Sequence, residues 1–227
     1  MITLTWLSHA SWLIETGSHK MLLDPFFQGN PKAQHTAEDF ADVTHVLVSH
    51  GHADHTGDVA SVLEKSGAQL IANYEIAEWY GKHHGIKDSV GMNIGGSTPI
   101  SGGTLKMVPA VHSSSLPDGT YAGLASGFVL RADGRSAYFA CDTAFFSDMQ
   151  FYAGNVDVAI FPIGDLFTMG VQDCLHAIKH IAPRLVIPSH YDTWPPIEQD
   201  AEHWATQVRS ETDAKPVVLK IGEAHSI

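Results

Sequence analysis

At 227 residues, with 44% hydrophobic and 17% charged side chains, the chain can bury a core without disulfides or a structural metal, so any metal it holds serves chemistry. Thirteen Lys and Arg against 25 Asp and Glu give a formal net charge of -12, which excludes nucleic acid and anionic membrane as natural partners but not a small anionic substrate, because bound cations reverse the sign inside a site. Two cysteines without a CxxC partner, an N-terminus unlike a signal peptide and the lack of any apolar run near ~20 residues exclude a disulfide scaffold and a membrane span, and predict a reduced, cytoplasmic setting.

In chain order, strands are predicted at 2–7, 12–15 and 21–23, spaced like an antiparallel meander. An apolar strand at 43–49 precedes a helix from about 56 to 65. A strand at 68–72 and a helix at 75–84 follow. The middle returns to strands at 104–111, 126–131 and 136–141, the last two joined by a turn at Ala132-Asp133-Gly134-Arg135. The final third alternates: strand 156–161, helix 171–180, strand 184–188, helix 198–210 and a short strand at 216–219. No linker, repeat or low-complexity segment interrupts this, so residues 1–227 are expected to form one domain. Strands gathered early in each half, with strand-helix units later, predict an α/β fold: an αββα sandwich of two mixed β-sheets flanked by helices.

Fifteen histidines are the compositional anomaly. Four ligand-type residues, His50, His52, Asp54 and His55, fall within six positions directly after the strand at 43–49. Residues two apart in extended chain point the same way, so His50 and His52 can share one metal. Asp54 and His55 lie where loop turns into helix and can face a second point nearby. A lone histidine there would be an ordinary loop residue; three with an aspartate form a ligand cluster. Three further residues repeat the placement of His50, just beyond an apolar strand: His112, Asp142 and His190. If those strands run parallel, their ends open on one edge, where α/β proteins build sites. Together the seven supply about the ligand count that two metals require.

His50-Gly51-His52-Ala53-Asp54-His55 resembles the H-x-H-x-D-H signature of the metallo-β-lactamase superfamily, and His112, Asp142 and His190 match its remaining ligands in order and approximate spacing. Leu7-Ser8-His9-Ala10-Ser11 and Phe167-Thr168-Met169-Gly170 resemble a narrower branch, the small metal-dependent hydrolases related to ascorbate-6-phosphate lactonase. The resemblance implies two divalent ions, zinc first and manganese second. His50, His52 and His112 would bind one; Asp54, His55 and His190 would bind the other. Asp142 would bridge them, with a hydroxide between the ions as nucleophile. Where the superfamily often has glycine before the bridging aspartate, this chain has Cys141, read as a buried apolar residue that points away from Asp142.

Among secondary candidates, His9 is expected to reach the site and contact substrate or leaving group, and is grouped with Asp54 and Asp142 as catalytic. Its alternative is a surface or supporting histidine. Asp24, before Pro25, either orients a ligand imidazole or starts a turn. Asp165 and Thr168, and Tyr191, Thr193 and Trp194, sit on loops expected to flank the cleft. Ser113-Ser114-Ser115 reads as flexible loop, with no base to make it a nucleophile. His176 and His180 stand four apart on a predicted helix but lack a third ligand, so they read as a solvated face; His83, His84 and His203 carry no role. The expected activity is metal-dependent hydrolysis of an ester-like bond, lactone or phosphodiester, in a small molecule, with self-association left open. A β-lactamase, a di-iron redox enzyme and a nuclease are weaker readings. The alternative of another class is a metal-binding regulator or scaffold without turnover.

Overall fold

The computed structural model describes residues 1–17, 19–100 and 102–227. Two seven-stranded sheets form its centre. The first contains β1 (Ile2–Ser8), β2 (Ser11–Thr16), β3 (His19–Leu23), β4 (His45–Leu47), β5 (Gln69–Asn73), β6 (Ser89–Met92) and β14 (Ala224–Ser226), in the order β14-β1-β2-β3-β4-β5-β6. The second contains β7 (Ser97–Ile100), β8 (Gly103–Pro109), β9 (Ser126–Ala132), β10 (Arg135–Phe139), β11 (Val158–Pro162), β12 (Leu185–Ser189) and β13 (Lys215–Pro216), in the order β13-β12-β11-β10-β9-β8-β7. The helices are α1 (Ala53–Thr56), α2 (Val59–Ser66), α3 (Tyr74–His84), α4 (Met149–Ala153), α5 (Val171–Ile181) and α6 (Ala201–Glu211). None is long and apolar enough to cross a membrane.

The alternation of side chains along the strands explains the layering. Met21, Leu23, Leu47 and Ile71 face the second sheet and pack in one large cluster with Leu105, Met107, Phe128 and Tyr138. Their neighbours Leu22, Val46, Val48 and Leu70 face outward, where Val59, Val62 and Leu63 of α2 and Ile76 and Tyr80 of α3 cover them. Cys174, Leu175 and Ile178 of α5, with Trp204 and Val208 of α6, cover the other sheet at helical spacing. The αββα sandwich of two mixed sheets is therefore the observed architecture.

The strand expected at 216–219 pairs only as Lys215–Pro216 and that at 104–111 ends at Pro109, and three further boundaries differ from expectation. The strand predicted at 43–49 keeps ladder pairing only over His45–Leu47, because the chain then bends toward the site. The helix predicted at 56–65 is split at Gly57 and Asp58: the Asp58 carboxylate accepts the Phe27 and Gln28 amides at 2.6 and 3.0 Å, and its own amide donates to the Pro25 carbonyl at 3.1 Å. The last helix starts at Ala201, where Asp200 caps it by accepting from the His203 amide at 2.9 Å.

Strand direction positions the chemistry. β1, β3, β4 and β5 run the same way in the first sheet, and β8, β10, β11 and β12 do so in the second. His9, Asp24 and His190 are each the first residue beyond a strand, and all three adopt left-handed backbone, at φ 52, 46 and 52. For non-glycine residues this is a costly state that collects at functional sites. Here it turns the chain off the sheet edge and brings the side chain back over the seam.

Candidate metal centre

His50, His52, Asp54 and His55 come from the end of β4 and from α1, on the first sheet. His112, Asp142 and His190 follow β8, β10 and β12, on the second. The structure brings all seven to one seam between the sheets. Besides a buried trio of Asp24, His50 and His55, donor atoms within 4.8 Å of one another form two groups: His50, His52 and His112 in one, and Asp54, His55 and His190 with His9 in the other. Asp142 lies between them. Its Oδ2 is 3.3 Å from His55 Nε2, 3.1 Å from His190 Nε2 and 3.7 Å from His112 Nε2.

Three features fit this donor set to cations. First, His55 Nε2, His190 Nε2 and Asp142 Oδ1 are buried without a hydrogen-bond partner. Such atoms cost about 1–3 kcal/mol each unless something else satisfies them. Second, spacings near 3 Å between ring nitrogens and Oδ2 are those of atoms sharing an ion, since bonds of about 2.0–2.2 Å place tetrahedral neighbours roughly 3.3 Å apart. His50 Nε2 and His52 Nδ1, 2.9 Å apart, show the same convergence. Third, burial lowers the His50, His52 and His112 imidazoles below the ordinary histidine value. Neutral rings present the lone pairs that a metal needs.

The second group is charged in character. Burial alone would raise the Asp142 carboxyl, but the facing His190 and His55 rings outweigh it and hold it well below the carboxylate range. Asp54 is likewise held low despite burial, chiefly by His9 and His55. Burial would lower His55, yet Asp142 and Asp24 raise it well above the ordinary value.

The supporting contacts set the tautomers. Asp24, fully buried, accepts from the Ser49 amide at 2.8 Å, from Ser49 Oγ at 2.5 Å and from His55 Nδ1 at 2.9 Å. With Nδ1 directed at Asp24, the neutral form of His55 would present a bare Nε2 to the seam. Because Ser49 Oγ donates to Asp24, it accepts from His50 Nδ1 at 3.0 Å, which leaves His50 Nε2 bare as well. Of the two roles open to Asp24, orienting a ligand-type imidazole is the one its contacts show.

The structure places His9 fully buried beside the second donor group, with both ring nitrogens engaged: Nδ1 lies 2.8 Å from Thr193 Oγ1 and Nε2 3.2 Å from Asp54 Oδ2. Burial, reinforced by His190, lowers its imidazole to about 4. The neutral ring braces Asp54 from behind. Cys141 lies beyond the end of β10, in left-handed backbone at φ 54, and its thiol approaches the Phe139 carbonyl at 3.7 Å. Burial pushes that thiol well above its usual value, and Cys141 belongs to none of the donor groups.

The loops also sort themselves. Asp165 and Thr168 shape their own turn, with Asp165 Oδ1 accepting the Leu166 amide at 2.8 Å and Thr168 Oγ1 donating to the Met169 carbonyl at 3.2 Å. The residues that line the cleft from this loop are Phe167, noted in the sequence only as part of the Phe167-Thr168-Met169-Gly170 resemblance, and Leu166, which carried no signal because an exposed apolar loop residue has no ligand chemistry. Tyr191 stacks on Trp6 at 5.1 Å, Thr193 serves His9, and Trp194 lines the cleft. Ser113 lines it too, and Ser114 Oγ accepts the Gly51 amide at 3.2 Å. His176 is 60% exposed, and His180 contacts the Ser147 carbonyl at 2.9 Å, as expected of a solvated face.

Two sheets meeting over paired histidine and aspartate groups define a metal-dependent hydrolase of the β-lactamase type. Residues 19–191 match the beta-lactamase superfamily domain, and the chain belongs to that family. Its relatives are more particular. A UPF0173 metal-dependent hydrolase from Pyrococcus abyssi is 45% identical over 227 residues, with 98% of both chains covered. One from Thermus thermophilus is 44% identical over 225 residues, again with 98% of both covered. Among solved structures, Igni18, a metallo hydrolase from the hyperthermophilic archaeon Ignicoccus hospitalis, is 31% identical, with a TM-score of 0.88 over 99% of this chain and 97% of that one.

Proposed function

We propose that residues 1–227 act as one cytoplasmic domain that hydrolyses an ester-like bond of a small molecule, lactone or phosphodiester, with two divalent ions. Zinc is the first choice and manganese the second. His50, His52 and His112 hold one ion, Asp54, His55 and His190 the other, and Asp142 lies between them. The observation that carries this reading is the pair of donor groups facing one carboxylate across the seam, with buried ring nitrogens that no protein atom satisfies. When bound, the ions let a water ionise near neutral pH and stabilise negative charge at the attacked centre. The chain's own residues then keep geometry: Asp24 fixes His55, Ser49 fixes His50, and His9 braces Asp54 while Thr193 holds His9.

The test is elemental analysis of gently purified protein, followed by chelation and restoration with zinc or manganese, read with rates on an ester and phosphodiester panel. At least one equivalent of transition metal is expected, rising toward two on addition, with turnover lost on chelation and restored with metal. A folded protein that never exceeds trace metal after zinc or manganese addition overturns the reading.

A further inference from the structure

The cleft over the site has a volume of about 740 Å³, and its two sides differ in kind. His52, Asp54, His112, Asp142 and His190 form the polar side. Leu166, Phe167, Trp194 and Pro196 form the other, and no lysine or arginine is among the described lining residues. Leu166 and Phe167 are 67% and 55% exposed, so they add little to the core. The turn that presents them is nonetheless built with care. Asp165 and Leu166 are consecutive left-handed residues, at φ 61 and 51. The Asp165 amide donates to the Met169 carbonyl at 3.3 Å, and the Met169 amide donates to the Thr143 carbonyl at 2.9 Å, which anchors the turn to the segment after Asp142. The turn is strained and tethered, yet it leaves two large apolar side chains in solvent beside a polar site.

We propose that the substrate is an uncharged carboxylic ester, open-chain or cyclic, whose apolar group of several carbons lies against Leu166, Phe167 and Trp194. The proposal rests on the hydrolase reading above and names its substrate class. A phosphate or carboxylate placed beyond the reacting bond would need cations or several donors. The wall offers none, and Ser113 supplies the one hydroxyl among the lining residues. An apolar group gains about 0.8 kcal/mol per buried methylene, a factor of roughly four. In the reaction the oxygen of water bonds to the acyl carbon and the acyl–oxygen bond breaks. One water proton ends on the departing alcohol, and the other is released as the carboxylate forms.

The experiment uses the full chain loaded with zinc or manganese, with Asp142→Asn as the blank. p-Nitrophenyl acetate, butyrate, hexanoate and octanoate are compared with bis(p-nitrophenyl) phosphate. We expect kcat/KM to rise about two- to fourfold per methylene, and the phosphodiester to be at least ~100-fold slower than octanoate, about 2.7 kcal/mol in barrier. Phe167→Ala flattens the trend and lowers the octanoate rate at least ~10-fold, about 1.4 kcal/mol. Phe151→Ala, an exposed apolar residue on α4 outside the cleft, leaves the trend intact. Methyl octanoate, as the uncharged octanoate probe, titrated into the Asp142→Asn protein should also change its tryptophan fluorescence, an effect absent when Trp194→Phe is added and not produced by inorganic phosphate. If the phosphodiester is preferred and Phe167→Ala changes nothing, the substrate class is overturned while the hydrolase reading stands. If nothing is turned over above the blank but methyl octanoate still reports through Trp194, the hydrolase reading falls and the apolar surface stands.

Discussion

Replacing Asp24 by asparagine should uncouple metal affinity from the donor residues themselves. The carboxylate has no solvent contact and accepts three hydrogen bonds, two of them, from Ser49 Oγ and His55 Nδ1, on Oδ2. Asparagine keeps an acceptor for the Ser49 amide but places an NH₂ group where Oδ2 received two donors. His55 must then accept at Nδ1 and carry its proton on Nε2, the atom that the metal reading requires to be bare. Losing such a partner typically costs 10- to 100-fold in metal affinity, about 1.4–2.8 kcal/mol. The loss should fall on the ion assigned to Asp54, His55 and His190 more than on the other. The metal-free protein should lose stability too, by roughly 3–6 kcal/mol, since two hydrogen bonds to a charged group are each worth about 1.5–3 kcal/mol. Competition with a chromophoric chelator, run well below the thermal midpoint, separates the two effects. A folded Asp24→Asn protein that binds both ions within twofold of wild type would refute the role of Asp24 and cast out His55 as a ligand.

Other perturbations probe the same architecture. Asp142→Asn should weaken the second ion more than the first and lower turnover at least ~100-fold, a barrier change of about 2.7 kcal/mol, with little effect on folding. The companion His176→Ala should alter neither metal content nor rate, and reversal of these outcomes would move the site elsewhere. Gly51→Ala is expected to cost about 1–3 kcal/mol and to reduce metal content, because an added Cβ would lie 2.5 Å from the Ala122 Cβ and 2.9 Å from the Ser115 carbonyl; an unchanged melting temperature and full metal loading would count against it. Away from the site, Asp157 accepts the Ser136 amide at 2.9 Å and its hydroxyl at 3.1 Å, with Arg135 alongside, and these hold its carboxyl low although burial opposes them. A depressed folded value means stability that is present above the unfolded pKa near 3.8 and is lost as pH falls through the folded one. Asp157→Asn should therefore lower the melting temperature at pH 7 and converge with wild type in strong acid; an equal deficit at both would show that charge is not the cause.

The sandwich and the seven-residue site were legible because both rest on local signals. Apolar runs such as Leu105 to Val108 must be buried strands, and a ligand-type residue just past each of several such runs points to a shared edge. What escaped had no such signal. β6 offers only Val90 and Met92 as apolar residues, too short a signal to stand out, and β14, with His225 and Ser226, has no apolar pattern and pairs on the edge that β1 leaves available. The split between α1 and α2 depends on Asp58 meeting the loop at Phe27, a contact across 31 residues. The place of His9 behind Asp54 depends on Thr193, 184 residues away. Leu166 read as ordinary loop, and Phe167 as part of a family resemblance without a role of its own, until the tether of Met169 to Thr143 put both beside the cleft.

The donor set is divided evenly enough that each proposed ion takes side chains from both sheets: His50 and His52 with His112, and Asp54 and His55 with His190. A cation held in this way is an interlayer rivet. It adds nothing to the packing of Met21 against Phe128, yet the layers cannot part without releasing it. A protease or an exchanging deuteron that needs that opening would meet a barrier set by free metal concentration, about 2.7 kcal/mol higher at one hundred times the dissociation constant. The cell's supply of metal would thus govern how long the folded chain lasts as well as how fast it works.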